Sequence, residues 1–188
     1  TFTSSEGQAS CTACQANAHG YNTTGNAAAT VLPDGRQAHA AVTHNGKMIL
    51  FGGMAAWTAN GFVDMGRNDV WEFDLETKIW KEIITTGTKP VIRAYHSAVM
   101  YGNKLIIFGG YDDNPNELLN DLWELDLTTN AWTEITTTGT NPNIRSTYVM
   151  VMHGSELVVF GGQTEGPPYM NRDLWKIDLS VGSPSWVN

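Results

Sequence analysis

Short apolar runs rich in β-branched and aromatic residues, KMILF, KLIIF and ELVVF, each end at a pair of glycines: Gly52–Gly53, Gly109–Gly110 and Gly161–Gly162. Runs of this length bounded by glycine predict β-strands that stop at tight turns, because a helix needs a longer amphipathic stretch. The glycines are expected to supply positive φ or a close backbone approach, where a Cβ would clash. Further along, WEFDL, WELDL and WKIDL alternate in polarity, so Trp71, Phe73 and Leu75 take one face of a half-buried strand and Glu72 and Asp74 the other. Asp74 and Asp126 open DLETK and DLTTN, where a carboxylate bonded to backbone N–H groups two residues on sets a hairpin turn. Trp80 and Trp132 then resume the pairing.

These strands recur in order. Blocks begin at Arg36, Arg93 and Arg145, in steps of 57 and 52 residues, and each is followed by a tryptophan pair: Trp71 and Trp80, Trp123 and Trp132, Trp175 and Trp186. A period near 50 with a double glycine and paired tryptophans is the signature of a four-stranded propeller blade. The pattern R-x-x-H, apolar run, F-G-G, D-x-W-x-x-D, then W closely resembles kelch repeats over residues 33–188. The resemblance implies an all-β fold of three four-stranded antiparallel kelch-type β-propeller blades, approximately 31–84, 85–136 and 137–188. Closed propellers run from about 4 to 8 blades, so three are expected to form part of a larger propeller or assembly and to leave an apolar face open at each end. The third copy departs from the pattern: Tyr148 stands for the histidine, Glu156 for Lys47 and Lys104, and two extra residues separate Asp178 from Trp186.

Residues 1–30 lack the blade pattern and hold both cysteines, as Cys11-Thr-Ala-Cys14. Zinc would need a second ligand pair, and the βαβ context of a thioredoxin-like redox site is absent. The stretch G-x-x-S-C-x-x-C followed by G-Y-x-x-x-x-G resembles small extracellular cysteine-rich repeats of the ephrin-receptor and EGF-related type, although no proline follows the CxxC and no further cysteine pair arrives. That resemblance implies a disulfide of Cys11 and Cys14 with each other or with cysteines upstream. Asn22-Thr23-Thr24 is an N-glycosylation acceptor. Together these features point to an oxidising, extracellular or cell-surface setting. A flexible intracellular linker with a reduced CxxC is the alternative.

Composition narrows the partners. A formal net charge of −8 would repel a phosphate backbone, which excludes nucleic acid as an expected partner. No apolar run reaches the roughly 18 residues a membrane helix needs, so no membrane insertion is expected. The chain begins at Thr1, and a processed product or a segment of something longer is expected.

Candidate chemistry is sparse. Copper oxidases of the galactose oxidase type need a cysteine cross-linked to tyrosine, and residues 31–188 contain no cysteine. The E-x-x-x-D-x-x-x-H site of iron-dependent specifier proteins is absent, as are H-E-x-x-H, G-x-S-x-G and the phosphate loops. Asp112 to Glu117 gathers oxygen ligands, but the glycine and acid an EF-hand loop requires are missing, and a solvated turn is the simpler reading. His39 and His96 share one repeat position and read as packed side chains. Arg36, Arg93 and Arg145 follow a connector proline and read as structural partners of a carboxylate or carbonyl. Residues 54–67 form an insertion particular to the first repeat, carrying Trp57 and Phe62 as candidate ligand-binding residues.

The expectation is therefore an extracellular structural or adhesive module that binds protein or glycan partners, further copies of itself or the remaining blades of its parent chain, without catalysis, metal or cofactor. The rivals are part of an enzyme whose site lies outside these residues, and an intracellular kelch adaptor.

Overall fold

The computed structural model describes residues 31–55 and 66–188. A two-residue ribbon pairs β1 (Arg36–Gln37) with β4 (Met54–Ala55). The first blade is β2 (Ala40–His44), β3 (Lys47–Phe51), β5 (Val70–Asp74) and β6 (Trp80–Glu82), antiparallel in that spatial order. The second is β7 (Ser97–Tyr101), β8 (Lys104–Asp112), β9 (Glu117–Asp126) and β10 (Ala131–Glu134). The third has three named strands, β11 (Val149–His153), β12 (Glu156–Gln163) and β13 (Met170–Asp178).

Alternation of side chains gives each blade two apolar faces, and the blades stack face to face. Ile49, Phe51 and Val70 of the first blade pack against Leu105, Ile107, Trp123 and Leu125 of the second. Ile106, Phe108 and Leu122, on the second blade's other face, pack against Leu157, Val159, Trp175 and Ile177 of the third. A phenylalanine anchors each interface between two aromatic groups of the following blade. Phe51 lies with ring centroids 5.2 Å from both His96 and Trp132. Phe108 lies 5.6 Å from Tyr148 and 5.1 Å from Trp186.

Three sequence expectations are corrected here. The glycine pairs do not end the strands of the second and third blades: β8 and β12 run through them, with a register shift between Phe108 and Gly110 and between Phe160 and Gly162. A bulge there bends the strand while keeping its ladder. The expected positive φ does hold, at +49° and +104° for Gly109 and Gly110, and a Cβ on Gly110 would sit 2.8 Å from the Ala94 oxygen and the His96 Cβ. Leu75 is exposed instead of sharing the buried face of Trp71, because the chain has already entered the turn at Asp74. The third blade lacks a full fourth strand; only a bridge between Lys176 and Val187 stands in that position. Its two extra residues and Pro184, which has no N–H to give a ladder, account for the difference. Trp186 nevertheless reaches its repeat position and is buried.

The aspartate turns form as expected, with Asp74 accepting from the backbone N–H groups of Glu76 and Thr77, and Asp126 from that of Thr128. Connectors run from each blade to the outer edge of the next. Thr86 bridges Ala131 in parallel, and the Asn120 side chain donates to the Pro142 carbonyl at 3.0 Å.

Exposure along one repeat position shows where the stack is open. Phe51 and Phe108 are 0% exposed, and their counterpart Phe160 is 49% exposed. Leu174 and Val149 lie on the same face and are also exposed. The outer side of the first blade is less open than three bare blades would suggest, since Leu50 and Trp71 are both buried.

Candidate functional site

A repeated charged frame fixes one end of the blades. Arg93 Nη1 and Nη2 donate to the two carboxylate oxygens of Asp121 at 2.7 Å, and Nη1 also donates to the Gly109 carbonyl at 3.0 Å. Asp121 Oδ2 accepts a second hydrogen bond from Trp123 Nε1 at 2.7 Å. The same arrangement joins Arg36, Asp69, Gly52 and Trp71, and again Arg145, Asp173, Gly161 and Trp175. Burial pushes the Asp121 carboxyl up, and the hydrogen bond and charge of Arg93 more than offset it, leaving it below the usual carboxylate range. These arginines are consumed by the frame and are not offered to a ligand.

From this frame the chain makes one two-residue approach in each blade. The residue after the arginine bridges the residue after the glycine pair: Gln37 with Met54, Ala94 with Tyr111, Ser146 with Gln163. The next residue takes a left-handed backbone in every copy, with φ of 54° at Ala38, 56° at Tyr95 and 55° at Thr147. Left-handed values are uncommon outside glycine. Here blade-to-blade hydrogen bonds hold them: Tyr95 N–H donates to the Ala38 carbonyl at 2.9 Å, and Thr147 N–H to the Tyr95 carbonyl at 3.0 Å.

The side chains carried on this frame differ from copy to copy, and between the second and third blades they enclose a cleft of about 600 Å³. Its walls include Tyr95, Tyr111, Asn116, Thr147, Gln163 and Tyr169. Tyr95 and Tyr169 are exposed, and the Tyr111 hydroxyl bonds the Asn116 side chain. The floor contains Ser146 and Thr164, both buried.

Apart from Asn116, which lies in the oxygen-rich Asp112 to Glu117 turn, none of the cleft residues was singled out by motif. The signal that finds them is the contrast within the repeat, where arginine, aspartate, glycine pair and tryptophan recur while the positions beside them change. Of the other residues marked by the repeat, Gly53 and Gly162 lie beside the frame's backbone, whereas Trp132 packs on Phe51 between blades and Trp80 on Phe73. Trp57, Phe62, Cys11, Cys14 and Asn22 lie outside the described residues. In the acidic turn, Asp112 accepts from the Asn114 N–H and Asp113 from the Gly66 N–H, which accounts for its carboxylates without a cation. Among the described residues no three His, Cys, Asp or Glu side chains cluster to hold a metal ion. No described helix is long and apolar enough to cross a membrane.

The stacked antiparallel sheets and the repeated Arg–Asp–Trp frame define a propeller built of kelch repeats. The chain belongs to the kelch family: the family model described as the KLHDC2/KLHL20/DRC7 Kelch-repeats domain matches residues 8–187. It is 34% identical over 142 residues to the leucine-zipper-like transcriptional regulator 1 homolog of Drosophila melanogaster, covering 74% of this chain and 14% of that protein. It is 32% identical over 149 residues to the human Kelch domain-containing protein 3, covering 78% of this chain and 37% of that protein. The chain thus spans well under half the length of these relatives. Among solved structures, that of YjhT superimposes with a TM-score of 0.66 at 16% identity, covering 81% of this chain and 51% of that one.

Kelch domains generally mediate protein–protein interactions. The expectation that catalysis is absent is corrected: the fold shared with YjhT is compatible with a reaction. At that identity the likeness shows the fold alone and assigns no reaction to this chain.

Proposed function

We propose that this chain is a protein-binding kelch module whose docking surface is the end carrying Tyr95, Tyr111 and Tyr169. The observation that supports the reading is the contrast just described: a frame repeated three times presents different side chains in each copy, and between two copies those side chains line a cleft. Tyrosine suits such a surface, since it offers a large rigid contact area and a polar tip at low entropic cost. Peptides displayed on phage and selected against the folded chain are expected to compete for one site and to lose binding to Tyr95→Ala. That substitution respects the backbone, because Ala38 already occupies the same left-handed position. Selected peptides that bind Tyr95→Ala unchanged would overturn the reading.

A second reading concerns location. Cys11-Thr-Ala-Cys14 beside Asn22-Thr23-Thr24 favours an extracellular module carrying a glycan on Asn22 and an oxidised cysteine pair. Intact mass of the native protein, with and without reductant and glycosidase, tests it. Unmodified Asn22 with free thiols would support the intracellular adaptor instead.

A further inference from the structure

Resting on that docking reading, we propose that the cleft between the second and third blades takes a cationic side chain, lysine or arginine, from an extended segment of the partner. Charge is the first argument. Among the described residues lining the cleft, Glu165 is the charged one, and it is exposed. The nearby framework cations cannot offset it for an incoming anion: Arg93 and Arg145 are 0% exposed and bonded to Asp121 and Asp173. The turn that supplies Asn116 adds the exposed Glu117, while Asp112 is buried and Asp113 bonds the Gly66 N–H. Among the lining residues a carboxylate would meet Glu165 and no base, whereas an ammonium or guanidinium would meet complementary charge.

Ring chemistry is the second argument. Three tyrosines border one space, and the faces of aromatic rings attract cations, most strongly when water is partly excluded. The remaining lining supplies acceptors that fit N–H donors, among them the Gln163 and Thr147 side chains. An apolar side chain would desolvate those groups without bonding them. The space suits a long side chain together with flanking backbone, and lysine and arginine carry their charge on such a stem.

The test uses the full chain, isotopically labelled, and glycine-serine dodecapeptides whose two central residues are both Lys, Arg, Gln, Leu or Glu. Titration is followed by the backbone amide signals of Tyr95, Thr147 and Gln163. The Lys and Arg peptides are expected to shift these signals with affinities at least tenfold above the Gln and Glu peptides. Glu165→Gln and Tyr169→Ala should each weaken the Arg peptide several-fold; both residues are exposed, and unmoved core amides would confirm the fold. Equal or stronger shifts from the Glu peptide would overturn the charge assignment while leaving the docking surface in place. No shift from any peptide would overturn this inference, and phage selections that ignore the cleft would overturn the docking reading itself.

Discussion

Arg93 and Asp121 meet through two parallel 2.7 Å hydrogen bonds, with the arginine entirely buried and the aspartate also gripping Trp123. The pair ties the start of one blade to its third strand and supports the backbone on which Tyr95 stands. Removing one partner leaves a charge buried and unpaired, which costs about 3–5 kcal/mol, more than the pair itself contributes over apolar side chains. Asp121→Asn is therefore expected to lower unfolding free energy by about that amount in urea titrations. The double replacement Arg93→Met with Asp121→Leu should be milder than the single one. If Asp121→Asn is neutral, the frame is not what holds this end.

The third blade reverses an ion pair found in the others. Lys104 Nζ reaches both oxygens of Glu124 at 2.8 and 2.9 Å, and in the third blade Glu156 and Lys176 make the same contact with the charges exchanged. Lys104→Glu should destabilise by up to about 1 kcal/mol, the scale of a partly exposed pair, and adding Glu124→Lys should restore it. A double-mutant cycle measures the coupling. Absence of rescue would mean that local packing, not charge, sets these positions.

How far the sequence speaks for the structure can be read from these residues. Repetition made the blades, the aspartate turns and the structural role of Arg36, Arg93 and Arg145 legible, because each physical demand appears three times in register. The bulge at Gly109 and Gly110 was not legible, since a glycine that ends a strand and one that bends it occupy the same pattern. Leu75 misled because alternation continues in the letters after the chain has begun to turn. The incomplete fourth strand of the third blade was visible only as two extra residues. The cleft escaped because it is made of residues that do not repeat, gathered by bridges such as Ala94 with Tyr111.

His96 offers a test by pH. Its ring is buried against Phe51, and burial, followed by the charge of Arg93, pushes it down from 6.5 to about 3. The unfolded chain gains a proton near pH 6.5 that the folded chain refuses until near pH 3. Stability is therefore full above 6.5 and falls as the pH drops through this window, by up to about 1.4 kcal/mol per unit. His96→Tyr copies the third blade, where the Tyr148 hydroxyl donates to the Phe108 carbonyl. It should flatten the slope between pH 6.5 and 4.5 in denaturant titrations. An unchanged slope would assign it to other groups.

Glycine substitutions separate backbone strain from crowding. Gly154 has φ of 62° with open space where a Cβ would stand, so Gly154→Ala should cost about 1 kcal/mol from the left-handed backbone alone. Gly110→Ala adds contacts of 2.8 Å to the Ala94 backbone oxygen and to the Cβ of His96, just before β7, and should cost several-fold more. Thermal unfolding of the two variants compares them directly. Equal losses would mean that the strand relaxes and the close approach is dispensable.

Phe160 is the position where the stack continues or stops. Phe51 and Phe108 are each covered by a His or Tyr and a Trp from the following blade, and Phe160 presents the same group with no described partner. At the other end of the stack His39 and Trp80 hold the repeat positions of His96 and Trp132, so another copy of this chain, or a further blade of a longer one, carries the complementary set. The chain alone is expected to associate head to tail and to bind a hydrophobic dye. Phe160→Lys should suppress both without lowering thermal stability, because the residue is half exposed. Phe108→Lys, by contrast, should prevent folding, since it places a charge in a sealed interface. Light scattering and dye fluorescence on the two variants supply the comparison. A monomeric parent chain without dye binding would show that the face at Phe160 is stable in water as it stands.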